Sequence, residues 1–153
     1  MTSNVSESLN AVLKAARGLS VIEFLATIRD LISSWIASRQ TQGEKWLNFS
    51  GVFIVPKIVK EIDANVDRAA EYTAINRGND ICEVQMEGGR YRRVNLRQKH
   101  CDCARWQQLG YPCCHAAAAL MKTKEDVDSY CDEVFSTMSY MRMYTLSIVP
   151  PSQ

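Results

Sequence analysis

The sequence carries almost no net charge: 18 Lys and Arg stand against 17 Asp and Glu, leaving +1. The electrostatic footprint of a strongly nucleic-acid-binding domain is therefore missing at the level of the whole chain, and such a role has to rest on a local patch. No window approaches the roughly eighteen consecutive apolar residues that a membrane-spanning helix needs. Residues 1–10 lack the basic-then-apolar build of a secretory leader. Internal repeats and low-complexity segments are also missing, so 153 residues read as one ordinary domain or two small subdomains. The absence of a leader and of a span predicts an intracellular chain with no membrane partner; no small-molecule substrate is expected either.

What is present is the composition of a folded protein, with 46% apolar and 23% charged residues. Val5, Leu9, Val12, Leu13 and Ala16 recur at three and four, which predicts a helix that Gly18 ends. Ser20 followed by Glu23 is a capping-box pattern, and Val21, Phe24, Leu25, Ile28, Leu31, Ile32, Trp35 and Ile36 carry a second helix on from it. Residues 39–45 read as its polar exit and residues 46–55 as a connector. Pro56 suits a first helical turn, and Ile58, Val59, Ile62, Val66 and Ala69 predict a third helix over 56–70. The pattern then changes to three short strands, 72–76, 81–86 and 91–96, separated by Arg77-Gly78-Asn79-Asp80 and Glu87-Gly88-Gly89. A helix over 113–122 with four consecutive alanines follows, then helical pieces over 125–143 and an extended end over 144–151. The aromatics Tyr130, Phe135, Tyr140 and Tyr144 have spacing suited to packing on the region over 71–122, with a partner-facing surface as the alternative.

Chemistry concentrates between His100 and His115. Cys101, Cys103, Cys113 and His115 supply three thiolates and one imidazole, a set that closes a zinc tetrahedron with no open position, as a structural site requires. In a reducing compartment, clustered cysteines are more often metal ligands than disulfides. Alternate residues of a strand share a face, so Cys101 and Cys103 can reach one ion. A nine-residue loop containing Gly110 and Pro112 brings the chain back to Cys113 at a helix start, where free amides favour thiolate. The bland alternative is a set of buried thiols with a core histidine. Cys114 and His100 compete for the ligand places; Cys114 reads as a small buried residue, and His100 either replaces one thiolate or joins a basic run. Cys82 and Cys131 read as core or surface thiols. That basic run, Arg90, Arg92, Arg93, Arg97, Lys99 and His100, contains no acid and is either a solvated face or a phosphate-contacting patch.

Cys-x-Cys, nine residues, then Cys-x-His, with Trp106 three after the second cysteine and an alanine-rich helix after the histidine, resembles the SWIM zinc finger over residues 94–120. The flanks narrow the resemblance. Asn4-Val5-Ser6-Glu7-Ser8-Leu9-Asn10, two helices, Gly43-Glu44-Lys45-Trp46, a Pro-Lys helix and the finger are similar to the C-terminal end of plant Mutator-like transposases. The resemblance implies one structural zinc, a nuclear destination, DNA or protein partners, and descent from an enzyme whose ribonuclease-H-like domain carries an Asp-Asp-Glu triad. Glu7 matches the third acid of that triad. A lone Glu cannot assemble a two-metal site, so the expectation is an interaction module without autonomous catalysis, from a truncated or degenerate element product or a gene-model fragment. The alternative is a fragment of an active transposase in which Glu7 is the third catalytic acid. The expected fold is α+β: a helical pair and connector helix, then a three-stranded antiparallel sheet with a zinc knuckle and helix. Expected boundaries are 1–50 for a remnant of the catalytic domain, 51–70 for the connector, 71–122 for the finger and 123–153 for a tail.

Overall fold

The computed structural model describes residues 3–49 and 53–145. The element order is α1 (Ser3–Ala16), α2 (Val21–Asn48), α3 (Pro56–Ala69), β1 (Thr73–Gly78), β2 (Ile81–Gln85), β3 (Tyr91–Asn95), β4 (His100–Cys101), α4 (Arg105–Leu109), α5 (Cys114–Thr123) and α6 (Thr137–Met143). Two single 3-10 turns, Asp128–Tyr130 and Glu133–Phe135, precede α6. The expected α+β class is borne out. Two compact units divide the chain: Met1–Lys45 with Met141–Gln153, and Trp46–Tyr140.

In the first unit, α2 starts as its sequence dictates. Ser20 Oγ accepts from the Glu23 amide at 3.4 Å, and Glu23 Oε2 accepts from the Ser20 amide at 2.9 Å, so two amides that lack helical partners satisfy each other's side chains. These hydrogen bonds, led by the Ser20 amide, hold the Glu23 carboxyl below its ordinary range. The helix runs on through residues 39–45, which correct the expected polar exit: Arg, Gln, Glu and Lys lose little rotamer freedom in a helix, and no proline stops them. In α1, Val12 and Leu13 are half-buried and Ala16 is buried, as their spacing predicts. No helix among the described residues is long and apolar enough to cross a membrane.

The second unit is an antiparallel sheet in the order β1-β2-β3-β4 with α5 and α3 packed behind it. The fourth strand, two residues long, was not expected. Cys82 faces Asn76 and Val94 across the ladder, and Val94 faces Cys101, so alternation puts Cys82, Val84, Val94 and Cys101 on the inner face. Asn79 and Asp80 (φ 53° and 60°) take the left-handed conformation of the two-residue β1–β2 turn. Behind the sheet, Ala116 to Ala119 are all buried, and their small side chains let α5 lie close to the strands. The core that results is made of Val84, Val94, Leu96, Leu120 and Trp106 around sulfur and alanine.

The chain beyond α5 folds back within this unit. Trp106 meets Tyr130 at 6.1 Å between ring centroids, and Tyr111 meets Phe135 edge-on at 6.0 Å. Tyr140 packs instead on Trp46, and Tyr144 lies beneath Arg39 in the first unit, so the four aromatics do not share one role. The extended end expected over 144–151 lies, from residue 146 on, outside the described residues.

Candidate metal centre

Each donor is delivered by a short-range device. The β3–β4 hairpin places Cys101 opposite Val94, with Lys99 (φ 49°) turning the chain and Asn95 Oδ1 accepting from the Gln98 amide at 2.9 Å. The strand stops at Cys101. Cys103 therefore reaches the site through a turn, closed by the Ala104 amide on the Cys101 carbonyl at 2.8 Å, and not through the strand alternation that its spacing suggests. The nine-residue loop contains α4, a single helical turn that buries Trp106 and ends at Gly110. Cys113 is the N-cap of α5, with extended backbone (φ −75°, ψ 170°), and His115 lies in the first turn of that helix.

Cys101 Sγ, Cys103 Sγ, Cys113 Sγ and one ring nitrogen of His115 lie within 4.8 Å of one another. The Cys103 and Cys113 sulfurs are 3.5 Å apart, and Cys113 Sγ is 4.0 Å from His115 Nδ1. Zinc–thiolate bonds of about 2.3 Å in a tetrahedron give sulfur–sulfur edges of about 3.8 Å, so these separations suit one ion. Among the described residues no other His, Cys, Asp or Glu group has such convergence. Cys101 and Cys113 are buried and Cys103 is partly so, and four protein donors are the full set of a closed structural site.

The electrostatics favour a cation. A hydrogen bond from Cys101 pulls Cys113 down to about 4, helped by His115 and the Ala116 amide and opposed by burial. Sharing that proton raises Cys101, and burial raises Cys103. Amides of Cys103 and Arg105 pull the other way, toward thiolate, at Cys101 and Cys103. With Cys113 lowered and Cys101 and Cys103 raised, a divalent ion is what would favour the thiolate form at all three.

The surroundings fix the donors. Gln107 clamps Cys101 from both sides, its Nε2 donating to the Cys101 carbonyl at 2.9 Å and its Oε1 accepting from the Cys101 amide at 3.1 Å. Asp102 exchanges two hydrogen bonds with the Arg93 backbone, both at 3.0 Å. Asn65 Nδ2 of α3 donates to the Pro112 carbonyl at 3.0 Å, anchoring the chain just before Cys113. His115 stacks on Tyr72 with ring centroids 5.4 Å apart, and its Nε2 meets Met86 Sδ at 3.1 Å, so the ring is held on the side away from the sulfurs. Sequence reasoning missed Gln107, Met86, Tyr72 and Asn65. Only Asn65 left a trace, as a polar residue interrupting the stripe Ile62, Val66, Ala69.

The remaining candidates lie elsewhere. Cys114 is buried at the helix start and outside the cluster; His100 is exposed on β4. Cys82 is in the core and Cys131 is half-buried. The basic run does not stay together: Arg92 and Arg93 point to opposite faces of β3, Arg97 reaches Asp80 at 4.0 Å, and Lys99 reaches Asp132 at 3.6 Å. Glu7 is exposed on α1.

Comparison with known proteins agrees with this centre. No curated protein and no solved structure matches the chain. A family model of the SWIM zinc finger matches residues 82–124, beginning at β2 and ending just past α5, a longer stretch than the 94–120 expected from the motif. Residues 82–124 are a SWIM zinc finger domain, and its Cys101, Cys103, Cys113 and His115 cluster is compatible with one zinc ion.

Proposed function

We propose that Cys101, Cys103, Cys113 and His115 hold one structural zinc ion, and that the chain is a zinc-stabilised interaction module of Mutator-like transposase descent without catalysis of its own. The zinc reading is carried by the convergence of four donors within 4.8 Å inside a SWIM finger. When bound, zinc supplies a cross-link between the β3–β4 hairpin and α5. Residues of this chain do the rest: Gln107 and Asn65 set the two backbone segments, and Tyr72 and Met86 set the imidazole. The descent is supported by the order of motifs in residues 4–46 ahead of the finger, and a nuclear location belongs to the same reading.

In this reading the arginines of β3 and its turns contact phosphate, Arg92 from one face of the strand and Arg93 from the other. Arg90, Arg92 and Arg93 are exposed, whereas Arg97 and Lys99 already face carboxylates. Phosphate contacts by these arginines predict an affinity that falls with salt, and an Arg92→Ala, Arg93→Ala variant that shortens the salt slope by about one unit per lost contact. Titration of the zinc-loaded chain with a duplex oligonucleotide at several salt concentrations tests this. Unchanged affinity and slope in the variant would remove the DNA-contacting role from β3.

A further inference from the structure

Beside the start of α3 and the segment after α5, the second unit carries a groove of about 680 Å³. Phe53, Pro56 and Val59 give it an apolar lining, and Phe53 is 81% exposed. Its rim is acidic, with Asp63 one turn along the same face of α3 and Asp126 and Asp128 on the loop after α5; Lys60 is the single cation there. None of these four charged side chains makes an ion pair within 4.0 Å among the described residues. The carboxylates feel one another, since Asp128 is raised first by burial and then by Asp126 and Asp63.

We propose that this groove is a docking site for a short extended segment of a protein partner that carries apolar residues next to arginine or lysine. The volume falls in the range of about 300–1,000 Å³ typical of ligand clefts. Apolar side chains of the partner cover Phe53 and Val59, and its cations meet the carboxylates of Asp63, Asp126 and Asp128. Phosphate is excluded by the same charges, so the groove is independent of DNA contact by β3. A bare metal ion is a poorer fit, because the three carboxylates do not converge as the cysteine cluster does. They are spread along the rim, which suits a multi-atom cation such as guanidinium. The chain end over residues 146–153 contains no Lys or Arg, so it lacks the chemistry of this occupant.

The test uses the full zinc-loaded chain and two fluorescein-labelled hexapeptides, one alternating leucine with arginine and one alternating leucine with glutamate, read by anisotropy. The arginine peptide is expected to bind and the glutamate peptide not to. Asp126→Asn with Asp128→Asn keeps the shape, including the 3.4 Å hydrogen bond from the Asp128 amide to the Asp126 side chain, and is expected to weaken binding about tenfold. Val59→Glu, at a half-buried position in the groove lining, is expected to abolish it while circular dichroism and zinc content stay normal. Equal binding of both peptides, no binding, or full affinity in the Asn variant overturns the proposal. So does sedimentation equilibrium showing a wild-type dimer that the Asn variant dissociates, which would assign the groove to the Arg90–His100 run of a second copy.

Discussion

Along α2, Val21, Ile22 and Leu25 stand 75%, 81% and 60% exposed, whereas every residue of α5 from Cys114 to Leu120 is buried. Sequence periodicity finds the first as a helix without telling which of its apolar residues are covered, and it describes the second hardly at all. The first is specified locally, by a capping box and by apolar residues recurring at three and four with no proline among them. The second is specified by its surroundings: a sheet on one side, α3 on another, and the sulfur cluster at its start. Alanine contributes little apolar area per residue, so a helix built on Ala116–Ala119 gains less from burial than one built on leucines. Cross-linking by a metal supplies what that core lacks, on the order of ten kcal/mol in small zinc-dependent modules.

The largest expected effect separates the two units. Cys113→Ser, or a stoichiometric chelator, is expected to abolish amide protection across β2 to α5 while α1 and α2 keep theirs, as read by residue-resolved hydrogen exchange. Loss of both together would mean that the helical pair depends on the finger. Next comes Gly110→Ala. Its backbone is left-handed (φ 76°), and a Cβ there would meet Asp132 Oδ2 at 2.7 Å and Phe135 at 3.0 Å. A destabilisation of about 2–3 kcal/mol is expected in denaturant unfolding of the zinc-loaded chain, because strain and overpacking add. A neutral outcome would show that the 128–135 segment does not press on the finger.

Asn65→Ala sharpens the same contrast. It leaves the Pro112 carbonyl without its buried partner and is expected to cost about 1–3 kcal/mol and to speed zinc transfer to a chelator, showing that α3 is part of the metal module. An unchanged transfer rate would reduce α3 to a spacer. The smallest effect belongs to the helical unit: Ser20→Ala is expected to cost about 1 kcal/mol without altering zinc content. The cap is also pH-dependent. Glu23 is held below its ordinary value of 4.5, so its stabilisation is full at neutral pH and is lost as pH falls through the depressed value. Acid titration of helicity in wild type and Glu23→Gln checks the sign, since only the wild type should show this loss.

The three strands, the Pro56 helix and the capping box were legible because each follows from local pattern: period two, period 3.6 and a paired Ser and Glu. The ligands were legible because their spacing brackets a turn. Residues whose role depends on distant partners were not. Gln107 matters only because α4 folds it onto Cys101, and Met86 only because β2 ends beside His115. The surroundings of the basic run were not legible for the same reason. Free of acids in sequence, it meets Asp80 and Asp132 from elsewhere in the chain, and strand alternation splits Arg92 from Arg93.

Zinc content by elemental analysis of the purified chain, with Cys113→Ser and His115→Ala alongside, tests the central claim most directly. One zinc per chain in wild type, lost or loosened in both variants, is the predicted result. A well-folded wild type that binds no zinc would contradict it.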